Sequence, residues 1–304
     1  IHEAALRVLA TTGLTVHHDR ARDLYLQAGG TIDPEGRILL GRDVVETAVR
    51  RARRQVQLYD RDGNKAFVLK KGCTHFGPGS DALFNIDKGT GALRRSVLQD
   101  VAENVRIADA LDGFDFVMSM SLPEDVPPHR LYGTVFAEMV RNTTKPIVTT
   151  ATTLDDMRQV HHIAATVSGS ERRLRQRPFF LAYLEPISPL RIEASIADRV
   201  LYCAENGIPM LFAAGANCGG GAPITPEGGV VQGTAESLGG LVLAQQANPR
   251  ASFVYGANTS VMDMRSSVVC YGAPEWFRTV AMYSDMGKFY NLPNWGTAGC
   301  SDAF

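Results

Sequence analysis

Apolar positions along the chain fall into two regimes. In 1–95 they recur at helical spacing over 1–12 (Ile1, Ala5, Val8, Leu9), over 19–27, where Gly29 and Gly30 stop the pattern, and over 42–54 (Val44, Val45, Ala48, Val49). Short strand-like pieces follow at 66–69, 82–86 and 92–94, separated by turn signals such as Asp62-Gly63-Asn64 and Lys88-Gly89-Thr90-Gly91. This predicts a small α+β cap. From residue 98 the period changes. Helical stretches at 98–111, 132–142, 155–167, 191–205, 234–247 and 275–289 alternate with near-continuous apolar runs at 114–120, 146–150, 178–184, 209–214, 251–255 and 292–295.

Apolar strands joined by helices indicate a parallel sheet covered on both faces. An open dinucleotide-binding sheet needs G-x-G-x-x-G after its first strand, and the chain reads SMSLPEDVPP there, from Ser119 to Pro128. The pattern therefore predicts an α/β fold, a (β/α)8 TIM-type barrel. Six strands are counted where eight are needed, so the chain is expected to be a C-terminally truncated barrel. Its expected parts are a cap, 1–95, and a partial catalytic barrel, 96–304. The start at Ile1 leads to the same expectation of missing residues upstream.

Charge narrows the partners. Lys plus Arg (31) nearly balances Asp plus Glu (32), so no strong field selects nucleic acid or an anionic membrane. Neutral solutes or another protein are the expected partners, and pairing of two copies through barrel helices is compatible with the pattern. No apolar run approaches the ~20 residues that span a bilayer, and no signal-peptide layout opens the chain. The five cysteines are odd in number, widely spaced and without CxxC, which predicts reduced thiols in a cytoplasm.

In a barrel the chemistry sits at the C-terminal ends of the strands. Those positions hold hydroxyls, amides and aromatics, and no lysine falls among them, which argues against a Schiff-base aldolase. Cys73-Thr74-His75 and His161-His162 lack zinc spacing, and consecutive residues on a surface helix point apart, so no metal is expected within this chain. The 171–177 run (ERRLRQR) is expected in a solvated loop. Tyr183, Tyr255 and Trp295 end three strands, and Phe76 could reach over from the cap. Aromatic faces hold a quaternary ammonium by cation–π attraction, about 0.5 to 2 kcal/mol each when water is excluded. Tyr183 and Tyr255 could equally fill the core. Glu185 and Asp302 are the acids at strand ends, each able to balance a cation or to cap a helix.

A set of motifs carries a family resemblance. Asp263 to Ser267 (DMRSS), Tyr271 to Glu275 (YGAPE) and Tyr290 to Ala303 (YNLPNWGTAGCSDA) resemble the trimethylamine methyltransferase family. So do Glu185 to Leu190 (EPISPL), Asn142 to Ile147 (NTTKPI) and the opening IHEAALRVLATTGLTV, so the likeness spans nearly the whole chain. The resemblance implies a corrinoid-dependent enzyme. A partner corrinoid protein would carry the cobalamin, none being tightly bound here, and its Co(I) would accept a methyl group from a quaternary or tertiary amine. The chain has only the twenty standard residues, which favours members similar to glycine betaine:corrinoid methyltransferases over pyrrolysine-containing ones. A betaine carboxylate needs donors, and the glycine-rich 215–233 stretch with Asn217 and Asn258 offers them, or forms a mobile lid. The competing classes are a metal-dependent barrel lyase or hydrolase and a betaine-binding protein without chemistry.

Overall fold

Helix Pro226–Ala247 is buried along nearly its whole length, from Gly229 to Gln245. Thr225 caps it, its hydroxyl oxygen accepting from the Gly228 N–H at 3.2 Å, and Pro226 occupies the first turn beside Glu227. Helices His2–Thr11, Asp19–Gln27, Arg42–Arg51, Ala194–Asn206 and Pro274–Tyr290 pack around it. Its glycines set the approach distances. A Cβ on Gly240 would lie 2.6 Å from the Phe212 ring, and one on Gly233 would collide with the Tyr283 hydroxyl. Polar atoms at this interface are paired: the Tyr25 hydroxyl donates to Gly239 O at 3.0 Å, and Gln245 Nε2 to Ala48 O at 2.9 Å.

The computed structural model describes residues 1–297 and 299, which divide into two compact units. The first comprises Ile1–Val56, Lys70–Gly72 and Leu184–Phe304. Beside the central helix it holds parallel strands Met210–Ala214, Phe253–Ala257 and Asn294–Trp295, with Phe212 opposite Tyr255 and Gly256 opposite Trp295. The first two are buried at every position, as expected of strands covered on both faces. Short strands Asn217–Cys218 and Ser260–Asp263 extend the same direction beyond their ends.

The second unit comprises Gln57–Leu69 and Cys73–Tyr183. Its helices are Leu98–Ala110, Leu131–Asn142, Leu154–Ser168 and Glu171–Gln176. Strands Ile147–Thr150 and Phe180–Leu184 run parallel, Thr150 opposite Tyr183. A reciprocal box starts the third helix: Asp156 N–H donates to Thr153 Oγ1 at 3.1 Å and Thr153 N–H to Asp156 Oδ2 at 2.9 Å. No helix among the described residues is long and apolar enough to cross a membrane.

Four expectations change. The first expected strand, 114–120, reduces to one parallel bridge, Val117 to Ile147. Asp115 is diverted to pair both its N–H and its carboxylate with the Phe76 backbone, and Met120 takes a left-handed φ of 56°. Residues 226–233, read as part of a glycine-rich loop, are the first two turns of the central helix. The 171–177 run is largely helical, Glu171–Gln176, capped by Ser170. The expected cap boundary at 95 falls inside the second unit, while 1–56 belong with the C-terminal part in the first. The other parallel strands and the intervening helices stand as expected.

The glycine contacts yield a stability prediction. Gly240→Ala gains up to about 1 kcal/mol of helix propensity but overpacks a full core, at a cost of about 1–3 kcal/mol. A lower urea midpoint with unchanged slope is the expected result.

Candidate functional site

In the first unit three parallel strands deliver polar residues at their C-terminal ends. Met210–Ala214 runs into Gly215 and Asn217, Phe253–Ala257 into Asn258 and Ser260, and Asn294–Trp295 into Thr297. The Thr297 hydroxyl donates to Asn258 Oδ1 at 2.5 Å, and the Ser260 hydroxyl to Asn217 Oδ1 at 3.3 Å. A hydroxyl on each amide oxygen fixes the orientation of the side chain, and with it the direction of the amide donors. Trp295 is half-buried at the last strand.

Glu185 is exposed where 185–190 begins. Its carboxylate rests on Gly215, where any Cβ would collide with an oxygen, so the contact exists because residue 215 has no side chain. The same segment carries a cis peptide at Ser188-Pro189 and a left-handed Leu190 with φ 56°. A non-glycine residue there costs roughly 1–3 kcal/mol and persists only when its surroundings hold it. The holding group is Glu236 on the central helix, 0% exposed. It accepts from the Leu190 N–H at 2.8 Å, the Ser188 hydroxyl at 2.7 Å and Gln232 Nε2 at 3.1 Å. Burial pushes the Glu236 carboxyl up, against the pull of these three donors.

The second unit shows the same strand-end chemistry. Thr149 and Thr150 close one strand, and Tyr183, half-buried, stands opposite Thr150 on the next. Beside them Ser80, Asp81, Ser119 and Tyr132 line a narrow cleft. Asp81 Oδ2 accepts from Ser80 Oγ at 2.9 Å and Oδ1 from Thr150 Oγ1 at 3.5 Å, and burial pushes its carboxyl up.

The sequence-expected site residues separate accordingly. Asn217, Asn258 and Trp295 stand at or beyond strand ends of the first unit, and Glu185, just after strand Phe180–Leu184, belongs to the same unit. Tyr255 does not present its ring: it is 0% exposed, its hydroxyl shares a 2.9 Å bond with Thr234, and its ring packs on Tyr283 and Tyr290. Of the two roles open to Tyr255, the structure selects core packing. Tyr183 and Phe76 belong to the second unit, and Phe76 is 61% exposed rather than enclosed. Asp302 lies outside the described residues. His161 is buried, not on an open surface, and burial lowers its pKa. No three His, Cys, Asp or Glu gather to hold a metal among the described residues.

Glu236 and Asp81 were missed. Glu236 had a signal, a single acid inside a stretch of small and apolar residues that no amphipathic pattern places at a surface. Asp81 had none, sitting after Gly77-Pro78-Gly79-Ser80 as an ordinary turn residue.

Parallel strands joined by helices, with amides, hydroxyls and a seated carboxylate beyond their C-terminal ends, define an α/β protein whose candidate site lies in strand-end loops. The chain belongs to the trimethylamine methyltransferase (MTTB) family, whose profile matches residues 1–303. It is 30% identical over 307 residues to trimethylamine methyltransferase MttB of Desulfitobacterium hafniense, covering 100% of this chain and 61% of that protein. It is 24% identical over 304 residues to glycine betaine methyltransferase of the same species, with 100% and 63% covered. It is 28% identical over 322 residues to MttB of Methanosarcina thermophila, with 100% and 64% covered. The chain thus spans 61% to 64% of the length of these relatives. Its fold is shared with the monomethylamine methyltransferase MtmB of Methanosarcina barkeri, at TM-score 0.56 and 11% identity over 96% of this chain and 64% of that one.

The raised carboxyl of Glu236 predicts a pH dependence. An acid whose pKa is higher folded than unfolded favours the fold while protonated. That stability is intact below the ordinary value of 4.5 and is lost as pH rises through the folded value. In urea unfolding across pH 4 to 8, ~five points suffice to show wild type losing stability relative to Glu236→Gln as pH rises. A difference constant with pH contradicts the assignment.

Proposed function

We propose that this chain forms the substrate-holding part of a corrinoid-dependent methyltransferase acting on a quaternary or tertiary methylated amine of the glycine betaine kind. The family match over residues 1–303 carries the reading, and the strand-end residues give it chemistry. Glu185 offers a fixed negative charge to a cation, Trp295 an aromatic face, and Asn217 and Asn258 amides beside a backbone rich in N–H groups. A betaine presents one cationic and one anionic end, and this set answers both.

A quaternary nitrogen already carries the charge that its leaving as a neutral amine absorbs, so the protein need supply no general acid. What the residues do is hold the cation, orient one methyl outward and exclude water. A partner protein's corrinoid, when docked, supplies the cobalt that accepts the methyl group. The parallel strands and alternating helices support the proposal of a (β/α)8 barrel. The free cysteines Cys73, Cys203, Cys218 and Cys270 support a reducing, cytoplasmic setting.

Calorimetric titration of the protein with glycine betaine, proline betaine, carnitine and trimethylamine tests the substrate class. One amine binds saturably. Trp295→Ala weakens it by up to about thirtyfold, the equivalent of one desolvated cation–π contact. Glu185→Gln weakens it by several-fold, on the order of 1 kcal/mol for a half-solvated charge pair. If none of the four binds, the substrate class is wrong. Gly215→Ala displaces the Glu185 carboxylate and is expected to match Glu185→Gln in affinity while leaving the circular dichroism unchanged.

A further inference from the structure

Two loops of the first unit flank the candidate site, 185–190 and 215–222. Glu236 and Gln232 lie one turn apart on the central helix and bond to both. Gln232 Nε2 gives one N–H to Gly221 O at 3.0 Å and the other to Glu236 Oε1 at 3.1 Å. Glu236 takes in addition the Ser188 hydroxyl at 2.7 Å and the Leu190 N–H at 2.8 Å. The loops also touch directly: a Cβ on Gly221 would stand 3.5 Å from Ser188 O, and Gly215 receives the Glu185 carboxylate.

We propose that Glu236, acting with Gln232, is the positioning residue that fixes the spacing between Glu185 and the amide-bearing 215–222 loop. A betaine carries its two charges at a fixed separation, so the spacing between the two loops decides whether both ends are met at once. The proposal rests on the methylated-amine reading and assigns a function to a carboxylate that reaches no substrate. Its hydrogen bonds decide the matter. Leu190 N–H and the Gln232 amide nitrogen can only donate, and both point at Oε1, so the site is built for an acceptor at that oxygen, with the Ser188 hydroxyl on the other. An alanine there leaves three donors inside the protein without their acceptor. It also releases Leu190 from the group that holds its left-handed backbone.

A residue that only stabilised the fold would weaken all ligands alike. A residue that sets the distance between two subsites discriminates. Glu236→Ala and Gln232→Ala are titrated with glycine betaine, which has both charges, and with tetramethylammonium, which has only the cation. Both are measured at a temperature where circular dichroism shows each variant folded. Backbone hydrogen exchange is followed in 185–190 and 215–222. The expected result is a loss of betaine affinity about tenfold greater than that of tetramethylammonium, as for one misplaced charge-assisted contact. Faster exchange is expected in both loops, in both variants. Equal losses for the two ligands overturn the proposal, as does faster exchange in one loop alone. Should Glu236→Ala fail to fold, Gln232→Ala decides by the same two readouts. A wild-type protein that binds neither ligand sinks the methylated-amine reading instead. The clamp is then judged on exchange: joint loosening supports it, and loosening of one loop or none overturns it.

Discussion

A helix enclosed on every side must solve two problems, and helix Pro226–Ala247 shows both solutions. Its neighbours come so close that side chains are excluded at several positions, hence Gly233 against the Tyr283 hydroxyl and Gly240 against the Phe212 ring. Its polar groups cannot reach water, so each needs a partner inside the protein, hence Thr234 with Tyr255 and Ser237 with the Phe212 carbonyl at 3.3 Å. Glu236 is the extreme case. A carboxylate in such a place is tolerated because three donors converge on it, and two of those donors anchor segment 185–190. The packing of the core and the geometry of the candidate site therefore depend on one helix.

The aromatic residues divide for the same reason. Tyr255, Tyr283 and Tyr290 pack ring to ring and hydroxyl to partner behind the strands, the Tyr283 hydroxyl sharing a 2.5 Å bond with Thr259. Burial pushes the phenols of Tyr255 and Tyr283 above their ordinary range, so they act as neutral hydrogen-bonding groups. What remains at the strand ends of the first unit is a half-buried indole, two amides and a carboxylate. In the proposed function the cation is held by charge and by one ring, with the amides assigned to the other end of the ligand.

Asp81 in the second unit repeats the theme on a smaller scale. It is a loop carboxylate beside the end of strand Ile147–Thr150, met by two hydroxyls and raised by burial, with its backbone at φ 66°. Left-handed backbone at Asp81, Met120 and Leu190 marks segments that the surrounding structure holds against their local preference. Asp81 lies between strands Lys65–Lys70 and Phe84–Ile86, Met120 between helices Leu98–Ala110 and Leu131–Asn142, and Leu190 in the loop after strand Phe180–Leu184.

The sequence by itself determined the alternation of helices and parallel strands, because burial on both faces forces continuous apolar runs and helical periodicity survives in the flanks. It also determined the family, through motifs such as EPISPL and YNLPNWG that run nearly the length of the chain. It located Glu185, Asn217, Asn258 and Trp295 correctly at or just beyond strand ends, since a strand's end can be read from where the apolar run stops. The start of the central helix was written in Thr225-Pro226-Glu227 but masked by glycines, which read as loop until their neighbours are known. Tertiary structure alone decided that Tyr255 faces inward, because alternation along a strand cannot say which face meets a cavity when both faces are buried. It alone decided the surroundings of Glu236, two of whose three donors come from residues 46 and 48 positions away. No local pattern encodes a bond across such distances; only the packed chain brings those atoms together.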